Sequence, residues 1–529
     1  MTEKWIVIGF VIFLAIVILV PAILLLRLYF HDVKQREHSV LQNYPILGKI
    51  RYILEKMGPE LRQYLFLNDQ EGKPFNRKEF EFVVKAGKYN SSMMGYGAER
   101  HFEQDGHYLV NDMFPATVDE LKIGQSPKVN TRIYEINEEN LFSRKESRKA
   151  AEIDPSYLRD DDTVVLGENT VRQPFRLKGL IGQSAMSYGS LGDHAITALS
   201  KGLGIAGGTW MNTGEGSVSP YHLKGNTDII MQISPGLFGV RDEDGNFSWK
   251  EFKKQAETEQ IKAFELKLAQ GAKTRGGHVS GDKVTEEIAQ IRKVDAGKDI
   301  NSPNRFPGIS TPEKLLAFLD QLRDVSGKPI GVKIVAGNKK QVESFVKAMA
   351  ENNIVPDFIT VDGGEGGTGA SYYALAYSVG LPSFSSIPLV DETLKTYGLR
   401  DQTKIIASGK LLTPDKIAMA LCLGADLINI ARGFMISTGC IMAQVCHTNT
   451  CPVGVTTTDE NLQKALDIEE KKYRVANYLI TLRNDLFNLA AVAGLDSPTK
   501  FTRDHIVYRS SFKEFTNPNK QPLPEYNKS

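Results

Sequence analysis

Short apolar runs alternate with segments of helical periodicity from about residue 171 to residue 440. A strand buried on both faces is a continuous apolar run, whereas apolar residues three and four positions apart indicate a helix. The alternation predicts an α/β fold, a (β/α)8 TIM barrel of parallel strands with its active site at their carboxyl ends. The predicted strands are Leu180–Ser184, Ile205–Asn212, Asp228–Ile233, Phe264–Gln270, Ile330–Val335, Phe358–Val361, Lys404–Ala407 and Leu427–Ala431. The clearest predicted helices are His194–Leu203, Pro312–Val325, Val342–Asn352 and Pro414–Leu421.

A second hydrophobic pattern, the uncharged run Ile6–Leu26, lies near the start of the chain. As a helix it would be about 30 Å long, the thickness of a bilayer's hydrocarbon core. A cleaved signal peptide is the alternative, but its apolar core would be shorter, about 7–15 residues, and would end in a small-residue cleavage site. Lys4 precedes the run, whereas Arg27, Lys34 and Arg36 follow it. This bias predicts a single-pass anchor in the cell membrane, with the catalytic domain in the cytoplasm.

The remaining segments complete the predicted domain organisation. A short amphipathic helix is predicted around Ile50–Met57 and helical material near Phe80–Ala86, and the tail after Tyr508 is rich in Pro, Asn and Lys and is expected to be loosely ordered. We divide the chain into a transmembrane anchor (1–30), a juxtamembrane and cap region (31–170), the barrel domain (171–500) and a C-terminal tail (501–529).

Charge and cysteine content narrow the function classes. The net charge is +1, so nothing global indicates a nucleic-acid partner. Four cysteines in 529 residues exclude a disulfide-dense secreted scaffold. Three of them, Cys440, Cys446 and Cys451, follow the predicted barrel closely in a C-x5-C-x4-C arrangement.

These three cysteines suggest a metal or redox centre. Soft thiolates suit an iron–sulfur cluster, and a cysteine followed by proline, as at Cys451, recurs in ferredoxin-type ligation. Zinc with His447 as a fourth ligand is the rival, although the paired C-x2–4-C knuckles of structural zinc sites are missing. Buried structural thiols are the third interpretation, and it is the one we give Cys422, in an apolar helix.

Glycine-rich loops follow the last three predicted strands. They are Asp362–Ser371, Ser408-Gly409-Lys410 and Arg432-Gly433. Glycine lets the backbone turn its N–H groups toward an anion, and barrels commonly bind phosphate after strands seven and eight. One such loop alone would more often be a tight turn, but three in succession predict a phosphate site.

Lys333 lies in the middle of an apolar predicted strand. It could extend its ammonium group to the strand end and into solvent. Alternatively it could be a cation beside the electron-rich side of a reduced flavin ring. We favour the second interpretation because a buried unpaired lysine is costly.

Several motifs, in this order, resemble the FMN-binding synthase domain of glutamate synthase. They are Gln183–Ser190, Asn212–Gly216, Gln270–Lys273, Asp362–Ser371 and Cys446–Gly454. The resemblance covers roughly residues 171–500. Together with the predicted anchor, the chain resembles the stand-alone FMN-binding glutamate synthase family proteins.

The resemblance implies FMN beside a 3Fe-4S cluster ligated by Cys440, Cys446 and Cys451. It implies that 2-oxoglutarate and ammonia form 2-iminoglutarate, which reduced FMN, fed by the cluster, converts to L-glutamate by hydride transfer. The positions that match flavin contacts are Ser184, Ala185, Met186, Asn212, Gln232 and Lys333. Those that match the surroundings of its phosphate are Gly364, Gly366, Gly367, Gly409, Arg432 and Gly433.

Three charged positions match the family's substrate site. Lys273 and Arg292 match residues that bind the 2-oxo acid, and two cations suit a dicarboxylate. Glu215 matches the glutamate near the point where ammonia arrives. The plainer alternatives are a surface pair for the two cations and, for Glu215, a loop carboxylate that caps glycine N–H groups.

The sequence departs from complete glutamate synthases in ways that change the expected partners. No cysteine precedes Cys422, so glutamine hydrolysis is not expected in this chain, and no nucleotide-binding domain for NADPH is recognisable. We therefore expect a separate electron donor, such as ferredoxin, another reductase or a membrane component. The substrate loop is short and carries His278 where the family commonly has glutamine. This leaves open a related enzyme using another amine or 2-oxo acid, or a membrane-tethered electron-transfer module.

Overall fold

The computed structural model describes residues 2–510 and 515–516. The chain forms two compact units, Met1–Lys78 and Glu79–Ser529. Each unit is described separately below.

The first unit begins with the helix Thr2–Lys34. Its part Lys4–Lys34 is long and apolar enough to cross a membrane, with a mean hydropathy of 3.3 over its most apolar window and none of that window buried. A signal sequence near the N-terminus would meet the same criteria. The helix Gly48–Leu61 includes the predicted amphipathic segment Ile50–Met57. The other helical segments of this unit are Ser39–Asn43 and Arg62–Phe66, and a helix at Arg77–Tyr89 runs on into the second unit.

The second unit is built on a closed parallel barrel, which confirms the predicted fold class. Its eight strands, counted over the described residues, follow one another around the barrel in chain order, and the eighth pairs with the first. They are β1 (Ile181–Gln183), β2 (Trp210–Asn212), β3 (Asp228–Ile233), β4 (Ile261–Lys267), β5 (Ile330–Ile334), β6 (Phe358–Asp362), β7 (Lys404–Ser408) and β8 (Leu427–Ile430).

Two of the predicted strands were misplaced along the chain. The predicted second strand begins too early, because Ile205 and Ala206 end the helix Asp193–Ala206 and two left-handed glycines, Gly207 and Gly208, then turn the chain. The fourth strand starts three residues before its predicted first residue, since Lys262 interrupts its apolar pattern. The other six predicted strands agree with the structure to within one residue at either end.

Helices surround the barrel, and side-chain caps fix several of their starts. Thr311 accepts a hydrogen bond from the Lys314 N–H, and Asn338 accepts one from Gln341, so one helix begins at Lys339, earlier than its predicted start. The helices are Asp193–Ala206, Pro220–Leu223, Trp249–Ala256, Glu286–Arg292, Pro312–Ser326, Lys339–Asn352, Tyr373–Ser378, Ser383–Thr396, Pro414–Cys422, Arg432–Ser437, Glu460–Gln463 and Ile468–Val492. Single turns of 3-10 helix occur at Val118–Glu120, Asp160–Asp162, Gly214–Gly216, Gly281–Lys283, Arg400–Gln402, Pro498–Lys500 and Arg503–His505.

Further antiparallel strands lie outside the barrel. The longest are the hairpin Val129–Glu139 and Arg144–Ile153. The shorter pairs are Val164–Leu166 with Phe175–Leu177, His278–Val279 with Ile300–Asn301, and Ile506–Arg509 with both Gly106–Leu109 and Phe515–Thr516. The prediction of a loosely ordered tail otherwise concerns residues 511–514 and 517–529, which lie outside the described residues.

Candidate active site

A carboxylate and a lysine form an ion pair at the carboxyl ends of two barrel strands, β2 and β4, which are separated by β3. Lys267 ends β4, and its Nζ lies 3.0 Å from the Oε2 atom of Glu215, in the turn after β2. The Asn212 Oδ1 atom accepts the Gly214 N–H at 3.0 Å, which helps to set that turn. The Lys267 side chain is buried, whereas the Glu215 side chain is 22% exposed. The carboxylate of Glu215 is therefore held by a cation but still open on one side.

Two more predicted cations act on the same carboxylate. Burial would raise the pKa of Glu215, but the charge and hydrogen bond of Lys267 and the charges of Lys273 and Arg292 lower it overall. Burial lowers the pKa of Lys273 to about 8, opposed by the charge of Glu215, and lowers that of Arg292 to about 10. The structure thus brings together the three residues predicted as a substrate site.

Lys273 and Arg292 are both buried, at 3% and 1% exposed, so they do not form a surface pair. The Arg292 Nη2 atom donates to the Tyr188 carbonyl oxygen at 2.6 Å, and its guanidinium lies 5.6 Å from the Phe238 ring centre. Its Nε–H is buried and has no hydrogen-bond partner among the described residues. This N–H is therefore available to donate a hydrogen bond to a bound ligand.

The barrel interior contains a carboxylate that the sequence analysis did not identify. The buried Glu265 of β4 accepts hydrogen bonds from Asn212 at 2.9 Å, Gln232 at 2.6 Å and Thr360 at 2.5 Å. Asn212 and Gln232 are predicted flavin contacts, and Glu265 fixes the orientation of both amides. A glutamate inside an apolar strand was the available sequence signal.

Lys333 is buried and paired, so it does not extend into solvent. Its Nζ lies 3.3 Å from the Asp362 Oδ2 atom at the end of β6, and the same oxygen accepts the Gly271 N–H at 2.8 Å. Burial would raise the pKa of Asp362, but the Lys333 charge and the Gly271 hydrogen bond lower it overall. The sequence analysis assumed that Lys333 would be buried without a charged partner. That assumption was wrong, because Asp362 balances the charge of Lys333.

The predicted phosphate glycines play different structural roles. The N–H groups of Gly364 and Gly366 donate to the carbonyl oxygens of Leu381 and Gly363, so they are already satisfied. Gly367 lies against the Arg432 guanidinium, where a Cβ atom would approach to 2.8 Å. The N–H groups of Gly364 and Gly366 are therefore not free to bind an anion.

The remaining residues of this region surround Arg432. Gly409, at φ +135°, adopts a conformation that side chains disfavour, and Gly433 lies against the Tyr478 hydroxyl group. Arg432 donates to the Glu365 carbonyl oxygen at 3.2 Å. Burial lowers the pKa of Lys410, and the positive charge of the nearby Arg432 lowers it further.

Ser184, Ala185 and Met186 follow β1, beside β8 and β2. The Ser184 N–H donates to the Ile430 carbonyl oxygen at 2.9 Å, and the Met186 N–H donates to that of Asn212 at 3.3 Å. The preceding Gln183 has a buried Oε1 atom that accepts no hydrogen bond within the described residues. An acceptor without a donor at this position fits a bound group that carries an N–H.

The cysteine loop lies beyond β8. The Cys440 Sγ atom accepts the Met442 N–H at 3.4 Å, and burial together with the Cys446 and Cys451 charges raises the pKa of Cys440 to about 11. Burial would raise the pKa of Cys451, but surrounding backbone N–H groups lower it overall. Across the described residues, no group of three His, Cys, Asp or Glu side chains is gathered as a metal site. The three cysteines share one loop, but their thiols are not arranged as a metal site.

Three further residues complete the comparison with the sequence predictions. Cys422 is buried, which raises the pKa of its thiol to about 12, as expected of a structural cysteine. Lys283, which the sequence analysis missed, is buried and donates to the Cys446 carbonyl oxygen at 2.7 Å. His447, the suggested zinc ligand, is exposed.

Comparisons with known proteins agree on one family. A family model described as a conserved region in glutamate synthase matches residues 118–496. The glutamate synthase large subunit-like protein YerD of Bacillus subtilis is 59% identical over 504 residues, which cover 95% of this chain and 96% of YerD. The archaeal-type glutamate synthase (NADPH) of Thermotoga maritima is 31% identical over 343 residues, 64% of each chain. The archaeal glutamate synthase (NADPH) of Methanocaldococcus jannaschii is 33% identical over 315 residues, 59% of this chain and 58% of its own.

Proposed function

Because the chain belongs to the glutamate synthase family and is an oxidoreductase acting on CH–NH2 groups, we propose that it converts 2-oxoglutarate and ammonia into L-glutamate. The observation that carries this proposal is the grouping of Lys267, Lys273 and Arg292 around Glu215. Three cations and one carboxylate give this site a local charge of +2. A dicarboxylate of charge −2 is the matching small-molecule ligand.

Each of these residues has a role in the proposed amination. Lys273 and Arg292 bind the carboxylates, and the Arg292 Nε–H supplies a donor that the protein does not use. Glu215, whose pKa is lowered, is ionised at neutral pH and attracts the ammonium ion. The ammonium ion passes one proton to water, the ammonia so formed adds to the carbonyl carbon, and the carbonyl oxygen leaves as water with two protons from the nitrogen, which gives 2-iminoglutarate. Lys273, with a pKa of about 8, is mostly protonated at neutral pH and so carries the positive charge that binds a carboxylate.

FMN, when bound, supplies the hydride that reduces the imine. We assign Ser184, Ala185, Met186, Asn212, Gln232 and Lys333 to its ring and ribityl chain. The unpaired Gln183 acceptor supports a ring N–H at this position, and Glu265 holds the two amides in place.

Arg432 is the main phosphate ligand in this proposal, together with Lys410. The glycines of the phosphate region are Gly364, Gly366, Gly367, Gly409 and Gly433, and they provide space and close packing rather than all of the N–H donors. In this proposal, charged side chains rather than backbone N–H groups supply most of the phosphate binding.

We assign Cys440, Cys446 and Cys451 as the residues that would hold a 3Fe-4S cluster, which would supply electrons to the flavin. The support is the chemistry of the donor set: three thiols in one loop, and backbone N–H groups that favour the Cys451 thiolate. The electrons come from a separate donor, such as ferredoxin or another reductase. The helix Lys4–Lys34 anchors the chain in the cell membrane, with the barrel in the cytoplasm.

A second candidate is the same chemistry with another amine or 2-oxo acid. It is favoured by the substrate loop, where His278 forms a hydrogen bond of 2.9 Å with Asn301 instead of providing a free amide. Arg275 in the same loop lies against the Tyr372 ring, with 4.8 Å to its centre, and its Nε–H is buried without a partner in the described chain. A membrane-tethered electron-transfer module would have no use for the buried cations Lys273 and Arg292.

The proposal is tested with the full chain in detergent, purified and reduced without oxygen. Flavin reoxidation and glutamate formation are followed with 2-oxoglutarate plus ammonium, with each alone, and with 2-oxoglutarate plus glutamine. We expect rapid reoxidation with one glutamate per flavin only when 2-oxoglutarate and ammonium are both present. Arg292→Gln should abolish it, whereas Lys298→Gln, which removes an exposed lysine, should not. Reoxidation that the two substrates together fail to accelerate would rule out the aminating function.

The cofactor assignments have their own readouts. The purified protein should contain FMN and about three iron atoms per chain. A Cys446→Ser variant should lose iron while retaining flavin. Full iron content in that variant would exclude the cysteine assignment.

A further inference from the structure

Lys283 is a buried cation that joins three separate segments of the chain. It ends the 3-10 turn Gly281–Lys283 and is 4% exposed. Its Nζ donates to the carbonyl oxygens of Cys446 at 2.7 Å, Thr456 at 2.7 Å and Ser190 at 3.3 Å. One ammonium group therefore connects the loop after β1 with both sides of Cys451.

A second contact holds the same loop from the neighbouring residue. The Asn449 Nδ2 atom donates to the Asp282 carbonyl oxygen at 3.0 Å. The Asn449 Oδ1 atom accepts the Thr458 N–H at 2.8 Å and the Thr457 hydroxyl at 3.0 Å. The segment 446–458 is thus folded against residues 282–283 by two independent side chains.

The charge of Lys283 has no carboxylate to balance it. Throughout the described residues, no Asp or Glu oxygen lies within ion-pair distance of its Nζ. Its Nζ instead lies against the backbone of Cys446, within the loop that carries the cysteine sulfurs. A buried cation is costly unless negative charge lies near it, and the cysteine sulfurs are the groups that can supply that charge.

We propose that Lys283 is a positioning residue that holds the cysteine loop against the loop after β1 and stabilises negative charge on the cysteine sulfurs. The first part stands on the hydrogen bonds alone, whereas the second rests on the proposed cluster. A cation close to an iron–sulfur cluster favours its reduced, more negative state, so Lys283 raises the reduction potential. Because Ser190 belongs to the segment that follows the predicted flavin contacts, the same ammonium group also fixes the spacing between the two redox sites.

Two substitutions separate charge from positioning. Lys283→Met removes the charge and the three hydrogen bonds, whereas Asn449→Ala keeps the charge and removes the side-chain hydrogen bonds of Asn449 with Asp282, Thr457 and Thr458. Lys328→Met is a matched control, because Lys328 is also 4% exposed and donates to three carbonyl oxygens, those of Ala256, Thr258 and Ile261, away from the cysteines.

The first measurement is hydrogen–deuterium exchange of the peptide that covers residues 440–458, in full-length protein treated with an iron chelator. Loss of hydrogen bonds to a charged group should speed exchange in Lys283→Met by about tenfold or more. Asn449→Ala should show a smaller increase, and Lys328→Met none. Unchanged exchange in Lys283→Met would overturn the positioning role. Lys283→Gln replaces the methionine variant if that variant does not fold.

The second measurement is the midpoint potential of the iron–sulfur centre, by redox titration monitored with electron paramagnetic resonance. Lys283→Met should lower the potential, whereas Lys283→Arg, Asn449→Ala and Lys328→Met should leave it close to that of the wild type. A Lys283→Met potential equal to the wild-type value would overturn the charge role. Wild-type protein without iron would overturn the cluster assignment and the charge role together, and the exchange measurement would still decide the positioning role.

Discussion

At the scale of single residues, the site is organised by which buried charges are paired and which are not. Lys267 pairs with Glu215, and Lys333 pairs with Asp362. Over the described residues, no carboxylate oxygen lies within 4.0 Å of the side-chain nitrogens of Lys273 or Arg292. A buried charge without a partner is costly, and such charges concentrate at functional sites. We therefore expect an anionic substrate to bind beside these two unpaired cations.

The lowered pKa of Lys273 leads to a pH prediction. Burial lowers this pKa from 10.5 to about 8, so Lys273 loses its charge as the pH rises through about 8. We expect kcat/KM for 2-oxoglutarate, at saturating ammonium, to fall about tenfold per pH unit above that value. Lys273→Arg should move the decline to higher pH, because a guanidinium stays protonated. Identical pH profiles for the two proteins would contradict the role of Lys273.

Residue-level prediction from the sequence identified candidate groups that lie close together along the chain and missed groups whose partners are distant. Cys440, Cys446 and Cys451 lie in one loop, so their spacing alone indicated a redox centre. The partners of Glu265 are 33 or more residues away along the chain, and those of Lys283 are 93 or more residues away. Only the folded barrel brings such groups together, although a charge inside an apolar strand could have indicated Glu265.

At the scale of secondary-structure elements, the barrel was predictable because each of its strands is buried. β6 is buried at every position and reads as an apolar run. The hairpin strand Val129–Glu139 contains one fully buried residue, Thr131, and so has no period-two pattern. The helix Ile468–Val492 was missed, although its buried residues Val475, Leu479 and Leu482 have helical spacing. Sequence analysis thus found the catalytic scaffold and overlooked elements that pack on it.

The helix Ile468–Val492 is held to the barrel by Arg483. This buried residue donates to the carbonyl oxygens of Ala206 at 3.1 Å, Gly207 at 2.5 Å and Pro155 at 3.3 Å. We expect Arg483→Met to lower the free energy of unfolding by about 3 kcal/mol, because carbonyl acceptors would be left buried without donors. Urea denaturation of the full chain in detergent, followed by circular dichroism, measures this.

Asn484 provides the control for that experiment. It is the exposed neighbour of Arg483 on the same helix, and Asn484→Met should change the free energy of unfolding by less than about 0.5 kcal/mol. Equal effects of the two substitutions would show that the Arg483 hydrogen bonds do not stabilise the helix.

At the scale of the whole molecule, the chain combines a family barrel with a long apolar helix. The family match covers residues 118–496 and lies within the unit Glu79–Ser529. The apolar helix belongs to the unit Met1–Lys78. Anchor and barrel are thus separate parts of the sequence and can be tested independently.

The anchor gives the last prediction. If Lys4–Lys34 spans the membrane, the full chain should sediment with membranes, resist extraction at alkaline pH and keep its N-terminal residues in mass spectrometry. Leu14→Arg with Ile18→Arg should release it, since each central charge costs about 2.5–3.5 kcal/mol on insertion scales. Thr2→Arg with Glu3→Arg is the matched control, because it adds charge outside the apolar run. Recovery of a chain that lacks the first 25 or so residues would instead indicate a cleaved signal peptide, whose removal leaves no span.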